Sequence, residues 1–414
     1  MVPLLEVVDG STGAERMVGT TRFSLRRGMV STTFSYADSY LEDAAPYAID
    51  PALPLRPGPQ HCEGLPGAFR DSAPDRWGRH LVERDHRAAA AADNRAPRQL
   101  DEVDYLIGVF DMTREGSLRF REPGGSYLAE RAAIPPLVEL PRLLHASREV
   151  ALGEAGRAEV KALLNAGSGS LGGARPKASV CDGDRLLLAK FSHPSDEWNV
   201  MAWEKTALDM AVAAGIAVPA AQLVRIGDEW VLLLERFDRA GSLVRGARIP
   251  FMSGMTALGS ADGDARDYAE LAEVVAELAS EPAVQLQDLF ARVTFSVAIA
   301  NTDDHLRNWG FLRQPKGWEM TPLFDVNPNP EEGAFRVTSI AGERGDREER
   351  GLRDLAAYAG LSEDAACETV GRVLASTTLW KDVARKNGCP EREIKLFAPT
   401  FAQKARQLRK AFGL

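Results

Sequence analysis

An α+β fold is expected, with a β-rich amino-terminal accessory subdomain, a small β-containing middle portion and a mainly helical carboxyl-terminal portion. Three features of the 414-residue sequence point there. Short apolar stretches broken by Gly and Pro fill residues 1 to about 60, and apolar strand-like stretches flank Asp182-Gly183 and Gly227-Asp228. Beyond Phe251 the patterning turns to amphipathic helices. The expected division is 1–130, 131–250 and 251–414.

Taken in order, FSLRRGMVSTTFSYADSYL and PALPLRPGP suit strands joined by turns. Ser72 and Pro74 then introduce DRWGRHLVERDHRAAAAA, whose alanines and arginines favour a helix ending near Asp93 or Asn94. Residues 127–141, with three prolines, read as a connection. An amphipathic segment from Arg157 enters a glycine-rich loop, and KASVCDGDRLLLAKF reads as a hairpin. The helix EWNVMAWEKTALDMAVAAG is stopped by Gly215 and Pro219, and AQLVRI with EWVLLLERF makes a second hairpin. In the helical remainder WGFLRQPKGWEMTPLFDV stands out as strand-like.

Composition narrows the function classes. Fifty Lys and Arg against 59 Asp and Glu give a net charge of −9, which argues against a surface given over to nucleic acid. The four cysteines, Cys62, Cys181, Cys367 and Cys389, form no CxxC pair, so neither a disulfide framework nor a zinc site is expected. No basic-then-apolar leader and no membrane-length apolar stretch is legible, which fits a soluble, cytoplasmic protein. Residues 381–414 hold nine Lys or Arg against three acids, a solvated helical face or one turned toward nucleic acid in a complex.

Three constellations carry chemistry. In GSGSLGGARPK, residues 167–177, Gly167, Gly169 and Gly172 have GxGxxG spacing. A dinucleotide fold needs a strand before and a helix after, and a Walker loop needs Lys where Gly173 stands, so neither fits. What remains is a loop whose backbone amides can close over phosphates, or else a flexible surface connection. Ser170 lies inside it, with Arg175 and Lys177 beside it.

The second constellation is Lys190, closing the apolar strand RLLLAKF, with Glu204 fourteen positions later on a helix. A strand lysine there needs a phosphate or a carboxylate, unless it snorkels to solvent. The third is NTDDHLRNWGFL, residues 301–312, followed by PLFDV: Asp303, Asn308 and Asp325 make a DxxxxN…D pattern. Phosphoryl transfer uses these types, Asp303 to deprotonate an acceptor hydroxyl, Asn308 and Asp325 as hard oxygen ligands for Mg²⁺. The plainer reading has Asp303 and Asp304 capping a turn. His305 reads as a packed brace for the loop.

The motifs SLGGARPK, LLLAKF, Glu204 through AAGIAVP, LERFDR at 234–239, NTDDHLRN and PLFDV stand in the order and spacing of one family. LPGAFRDSAPDRWGR and DYLIGVFDMTREGSLRF match its accessory region. The sequence thus resembles the HipA-like toxin kinases of bacterial toxin–antitoxin modules. The resemblance implies a protein-kinase-like two-lobed fold, with a small β-containing lobe at 131–250 and a helical lobe at 251–414. It implies a serine/threonine protein kinase using ATP and Mg²⁺, with Asp303 catalytic and Asn308 and Asp325 binding metal. Gly169, Gly172, Gly173, Lys177 and Lys190 would hold phosphates, and Glu235, Arg236 and Phe237 would form the connection where adenine docks. Glu204 and His305 complete the cofactor-binding set, and Ser170 matches the family's autophosphorylated serine. The partners implied are a small helix-turn-helix antitoxin, a protein substrate such as an aminoacyl-tRNA synthetase, and DNA only through the antitoxin. The alternatives are a small-molecule or lipid kinase, or a non-catalytic corepressor.

Overall fold

Alternation of buried and exposed residues builds the amino-terminal strands. In β3 (Met29–Tyr36) Phe34 and Tyr36 face inward while Ser31, Thr33 and Ser35 do not, the period of two of a half-buried strand. The computed structural model describes residues 4–11, 13, 15–129, 133–170, 173, 175–243, 246–331 and 333–414. In it β1 (Leu5–Asp9), β2 (Arg16–Arg26), β3, β4 (Gln60–Glu63) and β5 (Leu118–Arg121) form one antiparallel sheet in the order β4-β3-β2-β1-β5. Phe34 and Phe120 close edge-on against Phe69, with ring centroids 6.1 and 5.0 Å away.

The chain packs as two units, Met1–Ser195 with Leu233–Met252 and Asp196–Leu232 with Ser253–Leu414. The first holds the sheet, α1 (Arg76–Ala92), α2 (Leu140–Leu152), α3 (Arg157–Asn165) and the hairpin β6 (Lys177–Asp182) with β7 (Arg185–Phe191). The alanine run keeps α1 helical to Ala92, and the chain leaves it through Asp93, where the composition places the end. The hairpin turns at Gly183, whose φ of 57° suits a residue lacking Cβ.

The second unit holds α4 (Val200–Ala213) and β8 (Ala221–Ile226), and β9 (Glu229–Glu235) runs across the boundary at Leu232. It continues with α5 (Tyr268–Leu278), α6 (Pro282–Ala298), the hairpin β10 (Gly310–Gln314) and β11 (Gly317–Met320), α7 (Glu348–Tyr358), α8 (Glu363–Thr378) and α9 (Glu391–Phe412). Trp203 of α4 stacks on Phe397 of α9 at 3.7 Å, and its indole Nε1 donates to Glu393 at 2.9 Å. The expected α+β class holds, a β-rich amino-terminal sheet followed by mainly helical carboxyl-terminal residues. Among the described residues no helix is long and apolar enough to cross a membrane.

Candidate functional site

Helix α6 ends at Ala298, and the chain reverses through Ala300, whose positive φ of 53° is unusual for a residue with Cβ. This turn delivers the loop from Asn301 to Asn308. Its two adjacent aspartates part ways. Asp304 is buried and accepts from Tyr268 Oη at 2.6 Å, Ser296 Oγ at 2.6 Å and Trp309 Nε1 at 2.9 Å, with Arg336 3.7 Å away. Asp303 is exposed. Its carbonyl accepts from Asn308 Nδ2 at 3.2 Å, which draws the amide of Asn308 back under the same turn.

The chain returns to this loop after β11. Asp325 has a positive φ of 54°, a conformation that costs a non-glycine residue energy and recurs at functional sites. Asn327 donates from Nδ2 to Asp325 Oδ1 at 3.4 Å and from its backbone to Asn301 Oδ1 at 3.4 Å. Asn329 Nδ2 donates to Thr302 Oγ1 at 2.9 Å. Hydrogen bonds thus tie Asn308 to Asp303, and Asp325, through Asn327, to Asn301 at the start of the same loop. His305 braces the loop through its backbone, where its carbonyl accepts from Asn308 N at 2.8 Å; its ring Nδ1 is buried and makes no hydrogen bond.

Asp325 offers a carboxylate and Asn308 an amide oxygen, and the buried Oδ1 of Asn327 accepts no hydrogen bond, so the donors on offer are an all-oxygen set. Such a set fits Mg²⁺, which takes one or two carboxylates and completes its shell with phosphate and water. Among the described residues no group of three or more His, Cys, Asp or Glu gathers into a metal cluster.

In the other unit residues 167–170 of the glycine loop are docked inward. Gly167, at φ 63°, lies so close to Thr113 that a Cβ there would sit 2.3 Å from its Oγ1. Gly169 packs against Gly78 of α1, where a Cβ would come within 2.7 Å of the Gly169 Cα. Ser170, 1% exposed, shares a hydrogen bond of 2.5 Å with Thr113 Oγ1, and the Gly173 amide donates to Asp75 at 2.6 Å. Gly172 lies outside the described residues. Lys177 and Lys190 are directly opposite across β6 and β7, and both are buried, at 3% and 6% exposed.

Glu235 ends β9, 3.7 Å from Arg185. Phe237 is half-buried beside Phe251. The guanidinium of Arg236 is turned into an ion cluster: its Nε donates to Asp238 at 2.7 Å and its NH1 to the Thr113 carbonyl at 3.1 Å. Arg239 and the Gly116 amide also donate to Asp238, at 2.7 and 2.8 Å. Burial opposes ionisation there, but Arg236 and Arg239 hold the Asp238 carboxyl well below the usual range. Glu204 is buried in the first half of α4, and belongs to the unit that does not contain Lys190.

Next to this cluster, burial pushes the Glu115 carboxyl up to about 8, against the pull of Arg236. A carboxyl with a higher pKa folded than unfolded favours the native state while protonated. Its contribution is full below its ordinary value of 4.5 and is lost as pH rises toward about 8. The variant Glu115→Gln is expected to lose less stability over that window than the wild type, as read by thermal unfolding at a series of pH values. Parallel curves for the two proteins would show that Glu115 does not titrate there.

Sequence reasoning missed Asp304 as more than a turn cap, and missed Tyr268, Ser296 and Arg336 altogether. The doublet Asp303-Asp304 was the one available signal, and a loop without period gives no rule for which carboxylate turns inward.

Comparisons with known proteins bear on the family and the fold. The family model described as the HipA-like C-terminal domain matches residues 169–380, and that of the HipA N-terminal domain matches residues 14–100. HipA of Shewanella oneidensis MR-1, solved with HipB and operator DNA, superposes with a TM-score of 0.69 at 17% identity, over 99% of this chain and 98% of that one. The Helicobacter pylori proinflammatory kinase CtkA superposes with a TM-score of 0.41 at 13% identity, over 59% of this chain and 94% of that one. No curated protein matches the sequence.

Proposed function

Because the chain belongs to the HipA-like family, whose C-terminal domain covers residues 169–380, we propose that it is an ATP- and Mg²⁺-dependent serine/threonine protein kinase, the toxin of a toxin–antitoxin module. The observation that supports this most is the split between Asp303 and Asp304. One carboxylate is anchored by three donors so that its neighbour stands exposed on a rigid turn, beside Asn308. A general base for an acceptor hydroxyl needs that combination of access and fixed position.

In this reading Asp303 takes the acceptor proton, and Asn308 and Asp325 hold Mg²⁺, which neutralises phosphate charge when bound. Lys177 and Lys190 attract the phosphates, Gly169, Gly172 and Gly173 let backbone amides approach them, and Glu204 belongs to the same cofactor-binding set. Glu235 to Phe237 receive adenine, through backbone groups in the case of Arg236, whose side chain is committed to Asp238. His305 keeps the loop in place. Residues 131–250 then act as the nucleotide lobe and 251–414 as the catalytic lobe.

Ser170 is the proposed site of autophosphorylation. A phosphate adds about −1.5 to −2 charge, which the buried position beside Thr113 has no room for, so modification would hold the loop outward and switch the kinase off. The partners proposed are a HipB-like helix-turn-helix antitoxin, DNA through that antitoxin, and a translation component such as an aminoacyl-tRNA synthetase as substrate. Transfer of labelled phosphate from ATP to protein in a lysate, compared with the Asp303→Asn variant, tests the activity and isolates the acceptor.

The variant Lys190→Ala is expected to weaken ATP binding by about 10- to 100-fold, the equivalent of roughly 1.5–3 kcal/mol for a lost charged hydrogen bond. Titration calorimetry with ATP and Mg²⁺ checks it. Unchanged affinity would leave Lys190 as a strand terminus.

A further inference from the structure

We propose that Phe335 and Val337 form the surface on which a protein acceptor seats the apolar residue adjacent to its serine, and so select the acceptors of this enzyme. The inference deepens the kinase reading of Asp303 and rests on it.

After Asp325 the chain passes beside the Asn301–Asn308 loop with burial alternating residue by residue. Phe335 is 76% exposed, Arg336 is buried, Val337 is 47% exposed and Thr338 is buried. The alternation is that of an extended segment, where neighbours point to opposite sides. Its inward residues are nailed down. Arg336 donates to Glu348, Ser296 Oγ and the Asn301 carbonyl at 3.1, 2.7 and 2.6 Å, and Thr338 Oγ1 donates to the Asp304 carbonyl at 2.6 Å. With Arg336 and Thr338 fixed inward, Phe335 and Val337 cannot rotate into the core. Single exposed apolar residues are ordinary on protein surfaces. Two of them held outward by a buried arginine between them need an explanation.

Their position supplies one. The Val337 amide donates to the Thr302 carbonyl at 3.0 Å, so the backbone of Val337 is tied to the residue immediately before Asp303. The Phe335 ring stands over Gly345, where a Cβ would lie 3.4 Å from its Cε1. A hydroxyl reaching Asp303 therefore brings the residues next to it along this surface. The new bond forms between the acceptor oxygen and the γ-phosphorus as the bond from that phosphorus to the bridging oxygen breaks; the proton passes to Asp303 and ADP leaves. The chain's own candidate acceptor carries the feature expected of an occupant, since Leu171 follows Ser170 in sequence.

The test uses the full-length protein and the peptide GSGSLGGARPK, with and without Leu171→Lys, measuring kcat/KM for labelled phosphate transfer. The wild type is expected to prefer the leucine peptide by about tenfold or more. Phe335→Ser and Val337→Ser are each expected to shrink that preference, chiefly through a higher KM for the leucine peptide, and Phe335→Glu to shift it toward the lysine peptide. Both serine variants replace exposed residues, and intact unfolding midpoints confirm their fold. Equal use of the two peptides by the wild type, or a preference that survives all three substitutions, overturns the proposal while leaving the kinase reading intact. Transfer to no peptide and no protein overturns the kinase reading and this surface with it. A wild-type dimer that Phe335→Glu turns into a monomer would also overturn it, by assigning the face to a second copy of the chain.

Discussion

Replacing Asp303 with asparagine is expected to lower phosphoryl transfer by about 10²- to 10⁴-fold, the range that a positioned general base contributes, while ATP binding changes little. Asparagine keeps the size and the backbone hydrogen bond from Asn308, which goes to the Asp303 carbonyl and not to its side chain. What is lost is the exposed carboxylate that accepts the acceptor proton. The measurement is single-turnover transfer to a protein acceptor, paired with calorimetric ATP binding on the same preparation. Wild-type turnover in the variant would remove Asp303 from the chemistry. Loss of both binding and turnover would move its role to the nucleotide. The matched control is Asp304→Asn, which is expected to harm folding as well, because Asp304 is the acceptor for three buried donors.

The second large effect is on stability. Arg336→Ala is expected to destabilise the protein by about 3–5 kcal/mol, the cost of breaking a buried ion pair by removing one partner. Its guanidinium lies between Glu348 and Asp304, at 3.1 and 3.7 Å, and also donates to Ser296 and the Asn301 carbonyl. Without it those acceptors stay buried, although Lys404 retains its hold on Glu348 at 2.7 Å. Arg336→Lys is expected to restore little, since one compact ammonium cannot reproduce a planar fork that reaches several acceptors. Urea denaturation reads the midpoint. A shift within about 0.5 kcal/mol, typical of a surface substitution, would show that the network is dispensable.

Local chemistry made much of the fold legible. Turn residues placed both hairpins, at Asp182-Gly183 and Gly227-Asp228, because a two-residue reversal needs a residue tolerant of positive φ. Alanine content and a stop at Asp93 bounded α1, and Gly215 closed off α4, since helix propensity and termination act over a few residues. The residue types of the site were legible too. DxxxxN…D, a strand lysine and a glycine loop are short patterns whose spacing carries their chemistry without reference to the rest of the chain.

What the sequence determined by itself was therefore the inventory: which elements form, in which order, and which side chains are suited to phosphate, metal and proton. Only the tertiary structure decided which way each one faces. Asp303 and Asp304 are identical in type and adjacent, and what buries one and exposes the other is Tyr268, Ser296, Trp309 and Arg336, residues up to 36 positions away in the chain. Lys177 and Lys190 became a cross-strand pair through hairpin register, and Ser170 became buried because Thr113, 57 positions earlier, meets it. Orientation in a loop depends on the neighbours that satisfy each polar group. Those neighbours come from distant segments, and no local pattern encodes them.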